Sequence, residues 1–323
     1  KNLSGNSVIH MADNYYFANA AIKVQATEQI SLGLIYDQPF GADATYQLDG
    51  SNFSSSTLNE GTQVEVKTQN LTALIGYQPT KNWNIYAGPV WQTVEADIAL
   101  RGRSYQSLSG YNIKVDQEEA YGWLAGAAYQ IPEIALKAAI TYRSEIKHKA
   151  VAEESINVTP MMEMPLVTKG VNAVTPQSVN IDLQSGISQN TLAFANVRWV
   201  HWDQFVVSPA FLKSKNLDLI SYSDDQYSAT IGLGHKFNDK WSGSSSVGYD
   251  SGAGNPVTTL GPTEGYWSVG LGGQYSPTQD TFIQAGVKYF WLGDAIAQTG
   301  GQAVGKFENN YAMGYGLKMG YKF

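Results

Sequence analysis

The chain has 323 residues, of which only 15% are charged and 12% aromatic, with 20 Tyr, 8 Trp and 32 Gly. No segment holds the roughly 18 consecutive apolar residues of a transmembrane helix, yet few charges, many aromatics and a slightly polar mean hydropathy suit membrane strands in which apolar and small polar residues alternate. The lack of cysteine excludes disulfides and thiolate chemistry, and the net charge of −7 argues against nucleic acid as a partner.

The first residues, Lys1 to Gly5, lack the apolar core of a signal peptide. Ser4-Gly5-Asn6-Ser7 reads as a loop, followed at once by a long strand through Tyr15, Phe17 and Val24. After a turn at Thr27-Glu28-Gln29, the next strand meets Gln38-Pro39-Phe40-Gly41-Ala42. Pro39 has no N–H for a ladder, and Gly41 tolerates unusual backbone angles. The stretch reads either as an interruption that leaves a hole in a wall or as a strand ending in a turn.

Ile134, Leu136, Ala138, Ile140, Tyr142 and Ile146 alternate as a further strand. Arg143, Glu145 and Lys147 occupy its other face and are expected to point into a lumen. There Arg143 would meet a carboxylate head group, or join a salt-bridge network bracing the interior. The long loop from Val151 to Pro176 carries Met161, Met162, Met164, Pro165 and Leu166. Exposed apolar residues of this kind fit a capture groove for varied ligands, or a loop that buries its own small core.

Period-2 alternation resumes through Tyr227 to Phe237, Trp241 to Tyr249, Trp267 to Tyr275 and Ile283 to Trp291. The last strand, Tyr311 to Phe323, alternates without exception: Tyr, Met, Tyr, Leu, Met, Tyr and Phe on one face, Ala, Gly and Lys on the other. Such length exceeds the ~5–6 residues of a usual strand and suits a lipid-facing one of ~9–11. Short connections alternate with long ones, as periplasmic turns alternate with extracellular loops, and Tyr77, Trp83, Tyr129, Trp241 and Tyr275 flank the short turns as an interfacial girdle would. These features predict an all-β fold, a single transmembrane antiparallel β-barrel spanning 1–323. The count is about thirteen strands. Since single-chain bacterial barrels have even numbers, a partner strand is expected before the first.

Several stretches resemble the long-chain fatty acid transporter (FadL-type) family. Gly33 to Asp43 resembles its kinked third strand, Leu136 to Glu145 its seventh, Trp199-Val200-His201-Trp202-Asp203-Gln204-Phe205 a Trp-x-x-Phe strand end, and Tyr266 to Leu292 its penultimate hairpin. The resemblance implies a fourteen-stranded barrel whose N-terminal hatch and first strand lie outside this sequence. It further implies a bacterial outer-membrane location and a monomer among outer-membrane lipid and lipopolysaccharide. The ligand would be hydrophobic: a fatty acid, a detergent or a hydrocarbon. It would pass passively through a wall opening at Pro39 to Ala42, after capture near Met161, Met162, Met164 and Leu166. Acid-transporting relatives place basic residues in the fifth strand and near the tenth. Here those stretches read Trp91-Gln92-Thr93-Val94-Glu95 and Ser223-Asp224-Asp225-Gln226, which leaves neutral hydrocarbons open.

The histidines, His10, His148, His201 and His235, show no metal-ligand spacing, and no Gly-x-Ser-x-Gly, P-loop or dinucleotide fingerprint occurs. No catalytic residue, metal or cofactor is assigned. A hydrophilic porin and a receptor or adhesin barrel are the rival readings.

Overall fold

Sixteen strands form one sheet in the computed structural model, which describes residues 8, 11, 12 and 14–323. They are β1 (Ala20–Gln25), β2 (Ile30–Asp37), β3 (Gly41–Thr45), β4 (Gln63–Tyr77), β5 (Trp83–Ala99), β6 (Tyr111–Ile131), β7 (Leu136–Arg143) and β8 (Ile146–Thr159). There follow β9 (Met162–Thr175), β10 (Ser178–Ser188), β11 (Thr191–Val200), β12 (Gln226–Lys236), β13 (Trp241–Asp250), β14 (Tyr266–Tyr275), β15 (Thr281–Leu292) and β16 (Tyr311–Tyr321). Thirteen of them make a continuous path, β1-β2-β4-β5-β6-β7-β10-β11-β12-β13-β14-β15-β16. β3 extends the line of β2 along β4, and the β8–β9 hairpin rises from the outer ends of β7 and β10. The loop-like reading of Ser4 to Ser7, and His10, lie outside the described residues.

The antiparallel path curls into a barrel, because residues far apart along it touch across the interior. Phe40, beside β2, meets Trp202, beyond β11, with ring centroids 5.6 Å apart. Arg143 of β7 reaches Asp37 of β2 at 3.7 Å. Alternation decides which side chains face lipid. Ile85, Val247, Leu271 and Leu317 are exposed outward, while Thr72, Gln92 and Ser268 are buried inward.

Two aromatic rows bound the lipid-facing band. Trp83 pairs with Tyr129 and Trp241 with Tyr275 near the short turns; eight positions along the same strands, Trp91 pairs with Tyr121 and Tyr249 with Trp267. At ~3.4 Å per residue and a tilt of about 40°, the rows stand roughly 20 Å apart along the membrane normal, close to the ~25 Å apolar band of such barrels.

The principal buried apolar core lies outside this band. Tyr46, Phe53, Leu100, Tyr105, Leu212, Leu260 and Phe307, from successive long loops, pack into a cap over the outer mouth. Tyr46 donates its hydroxyl to the Thr259 carbonyl at 2.6 Å and Tyr105 donates to Thr259 Oγ1 at 3.0 Å. Burial pushes the Tyr105 hydroxyl up to about 12. A one-turn helix, α1 (Ala210–Ser214), joins the cap: Glu154 accepts from the Tyr111 hydroxyl at 2.6 Å and from the Phe211 N–H at 2.9 Å.

Three sequence readings are corrected here. The first strand is short, since Tyr15 and Phe17 precede β1 and stay out of the ladder. The stretch from Val151 to Pro176 is mostly a hairpin rather than a loop. β7 ends at Arg143, and the two non-ladder residues Ser144 and Glu145 reset the alternation. Ile146 therefore turns inward onto Val90 and Leu124, while Glu145 and Lys147 face outward as an exposed pair 3.1 Å apart.

Candidate functional site

β2 pairs with β4 as far as Asp37↔Asn70, and β3 resumes at Gly41↔Lys67. Gln38, Pro39 and Phe40 thus stand against only Thr68 and Gln69, an extra residue that bends the strand. Pro39 contributes no N–H there. The buried Thr68 hydroxyl replaces the lost ladder bonds: it accepts from the Phe40 N–H at 2.9 Å and donates to the Phe40 carbonyl at 2.5 Å. Gly41 does not use the unusual backbone angles that glycine tolerates, and a Cβ there would meet its nearest neighbour at an ordinary 3.5 Å. The kink therefore rests on Pro39 and Thr68. Thr68→Val keeps the shape and removes both bonds, and is expected to cost about 1–3 kcal/mol. Faster amide exchange at Phe40, with the rest of the barrel unchanged, is the measurement that checks it.

The other edge of the kink is open. The β1–β2 ladder stops at Ala20↔Tyr36, and among the described residues pairing reappears as a single bridge, Ala12↔Ala44. Among the described residues no ladder pair joins 14–19 to 37–43; Ala18 N–H reaches the side-chain Oε1 of Gln38 at 2.9 Å. Tyr36 faces Leu71, which faces Trp91 of the outer aromatic row. The unpaired stretch therefore starts where the apolar band meets the outer interface.

Behind it lies a cavity of about 340 Å³ lined by Gly41, Ala42, Trp202, Tyr222, Asp250 and Tyr266, among others. Trp202 packs against Phe40, against Phe205 at 5.2 Å and against Tyr222 at 5.0 Å. Gln226 fixes this wall. It accepts from the Trp202 indole N–H at 2.9 Å and donates to the Asp250 carboxylate at 2.9 Å. Beside Trp202, His201 contacts Asp225 at 2.9 Å and Asp203 at 3.3 Å, a cluster that spacing in the sequence did not reveal. Burial acts to raise the Asp225 pKa, but hydrogen bonds from Trp199, the Asp203 backbone and His201 outweigh it and hold the carboxyl below its ordinary value. Nearer the short turns a second, larger cavity of about 790 Å³ has the apolar Leu192, Phe194 and Trp241 in its lining, together with small and polar residues such as Gly234, Ser244 and Gln284.

The fold brings Phe40, Gly41 and Ala42 together at the first cavity, with Pro39 in the kink. It does not bring the methionines there. Met161, 98% exposed, Met162 and Met164 stand at the tip of the β8–β9 hairpin, whereas Leu166 packs on the cap. Arg143 lies in the lumen against Asp37. Sequence reasoning missed Thr68, Tyr222, Gln226 and Asp250 as site residues, and quoted Trp202 only within a family motif. Of these, Thr68, Gln226 and Asp250 carried a signal, as inward positions of alternating strands.

Residues 4–323 match the family described as outer membrane protein transport protein (OMPP1/FadL/TodX). The chain belongs to this family. Solved structures show the same fold at low identity. A FadL homologue of Pseudomonas aeruginosa is 14% identical with a TM-score of 0.72, over 94% of this chain and 77% of its own. The CymD monoaromatic hydrocarbon channel is 13% identical with a TM-score of 0.64, over 96% and 83%. The toluene transporter TodX of Pseudomonas putida is 14% identical with a TM-score of 0.61, over 85% and 77%. No curated protein sequence gives a match. As a member of the OMPP1/FadL/TodX family, the protein is a bacterial outer-membrane transport barrel.

Proposed function

We propose that the barrel passes compact, neutral hydrophobic molecules, single-ring aromatics foremost, sideways through the unpaired wall at the kink. One observation carries this reading: the open edge between 14–19 and 37–43 stands directly beside an aromatic-walled cavity, beneath a mouth closed by the cap. Unpaired backbone in a barrel wall is costly in lipid, so its place at the outer interface asks for a use. A single ring hides about 150–250 Å², worth roughly 4–6 kcal/mol at ~25 cal/mol per Å², which suffices for reversible capture without an energy source. The cavity of about 340 Å³ lies near the lower end of the ~300–1,000 Å³ usual for small ligands, which favours a compact molecule over an extended acyl chain. The neighbouring toluene transporter and monoaromatic channel support the same class. The methionines at the hairpin tip would serve capture at a distance from the cavity.

The porin reading predicts an open mouth, and the packed cap disfavours it. The test is uptake of labelled toluene and labelled oleate by cells that lack their own transporter and express the full-length gene. Pro39-Phe40-Gly41 is either intact or replaced by Val-Thr-Val. Toluene uptake that needs the kink supports the proposal. Kink-independent uptake removes the lateral route, and uptake of oleate alone removes the substrate class. Trp202→Ala, which removes the ring between Phe40 and Tyr222, is expected to weaken toluene binding by roughly two- to ten-fold, since aromatic contacts of this kind contribute about 0.5–1.5 kcal/mol; equilibrium dialysis reads it.

A further inference from the structure

Of the described residues that line the aromatic cavity, only Asp250 carries a charge, and it shares the wall with the rings of Trp202, Tyr222 and Tyr266. The Trp202 indole N–H is taken by Gln226 Oε1, which turns the Gln226 amide so that Nε2 donates to both Asp250 oxygens at 2.9 Å. The Gly252 N–H donates to Asp250 Oδ1 at 2.8 Å. Neutral amide donors therefore hold the carboxylate, and Oδ2, with a single bond, keeps a lone-pair position for a ligand. Arg198 of β11 lies within electrostatic reach of Asp250, but it is shared with Asp37 and Arg143 and is not part of the cavity wall. Behind the wall stands more negative charge. Burial, with Asp224 and Asp250 adding to it, pushes the Glu264 carboxyl above its ordinary value against a hydrogen bond from the Gly254 N–H.

Aromatic rings and a carboxylate held only by amides share one preference. The face of a ring carries negative potential and attracts a cation, most strongly where water is excluded. A cation with an apolar body gains from the rings, from Asp250 and from burial of the body. A carboxylate meets Asp250 as a like charge in a confined, poorly screened space. A neutral ring uses the aromatic walls and is indifferent to the charge. The cation also behaves differently at the kink. Gly41 and Ala42 place the cavity beside the unpaired wall, and charge is costly in hydrocarbon, so the cation stays where a hydrocarbon leaves.

We propose that the aromatic cavity is also a binding site for small organic ammonium ions with an apolar body, held between Asp250 and the rings of Trp202, Tyr222 and Tyr266, where they block the hydrocarbon route rather than follow it. This rests on the transport reading above for the place of the cavity on the route, and adds a second class of ligand to it. The experiment is equilibrium dialysis of labelled toluene and labelled benzyltrimethylammonium, whose charge is permanent, against the purified full-length barrel in a nonionic detergent, with empty micelles as blank. Each ligand is expected to displace the other, and benzoate to displace neither. Asp250→Asn keeps the size of the side chain and an acceptor for Gln226 and Gly252. It is expected to weaken benzyltrimethylammonium binding by about ten-fold or more, the order of a desolvated cation contact, and to leave toluene binding unchanged, which also shows that the variant is folded. Asp250→Glu restores the charge and is expected to restore the cation. Benzyltrimethylammonium that does not bind, that toluene does not displace, or whose affinity Asp250→Asn leaves unchanged overturns the ammonium site, while toluene binding leaves the transport reading standing. Binding of the cation through Asp250 without binding of toluene overturns the transport reading and keeps the site.

Discussion

Joining Ala18→Cys to Gln38→Cys by a disulfide is expected to reduce uptake of labelled toluene to the level of cells without the gene, and reduction of the bond is expected to restore it. The two positions lie on opposite edges of the unpaired wall, and the Ala18 N–H already reaches the Gln38 side chain at 2.9 Å. The chain has no cysteine of its own, so the staple forms without competing thiols. Cross-linking needs Cα atoms about 4.4–6.8 Å apart, a spacing within the range of neighbouring strands. The staple leaves the kink, the Thr68 clasp and the aromatic cavity in place and closes only the gap. Uptake unchanged in cells whose barrel is shown to be cross-linked would remove lateral passage and direct attention to the axis. This differs from replacing Pro39-Phe40-Gly41, which alters kink and gap together. If the replacement stops uptake and the staple does not, the kink shapes the cavity rather than the exit.

How much of this could be read in the sequence follows from what alternation records. A strand facing lipid on one side writes its orientation into every second residue, so β12 to β16 were visible in Tyr227 to Phe323, and the aromatic row beside the short turns in Trp83, Tyr129, Trp241 and Tyr275. Pro39 was visible because a missing N–H is a property of the residue itself. The reset at Ser144-Glu145 was not, because two polar residues fit a continuing strand and a break equally well. It moved Glu145 and Lys147 from the expected lumen to the outer surface. The cavity wall was illegible for another reason. Phe40, Trp202, Gln226 and Asp250 meet only when the sheet curls, and no local pattern records a contact across a lumen. The hairpin of β8 and β9 resembled a loop because Met161-Met162-Glu163-Met164-Pro165 interrupts its period.

Phe53→Ala is expected to open the outer mouth. Phe53 is 0% exposed and stands at the centre of the cap, with Tyr46 at 4.8 Å and Tyr105 and Phe307 at 6.4 Å between ring centroids. Truncating a buried phenylalanine costs about 3–5 kcal/mol, and here the loss falls on loops whose mutual packing is their main support. The strands below owe their stability to ladder bonds and lipid, so the folded barrel should persist on a gel run without heating. The cap should loosen, however. In planar bilayers the variant is then expected to pass small ions that the wild type excludes, and in intact cells the 44–62 segment should become open to added protease. Tyr105→Phe is the graded companion: it removes one hydroxyl bonded to Thr259 and keeps the ring, so its effect should be smaller and of the same sign. Ion conductance equal to wild type in Phe53→Ala, with the loop cleaved, would mean that the seal lies deeper. The level of Asp37, Arg143 and Arg198 would then be the barrier that keeps this barrel from being a pore, and the cap would serve only to shelter the cavity.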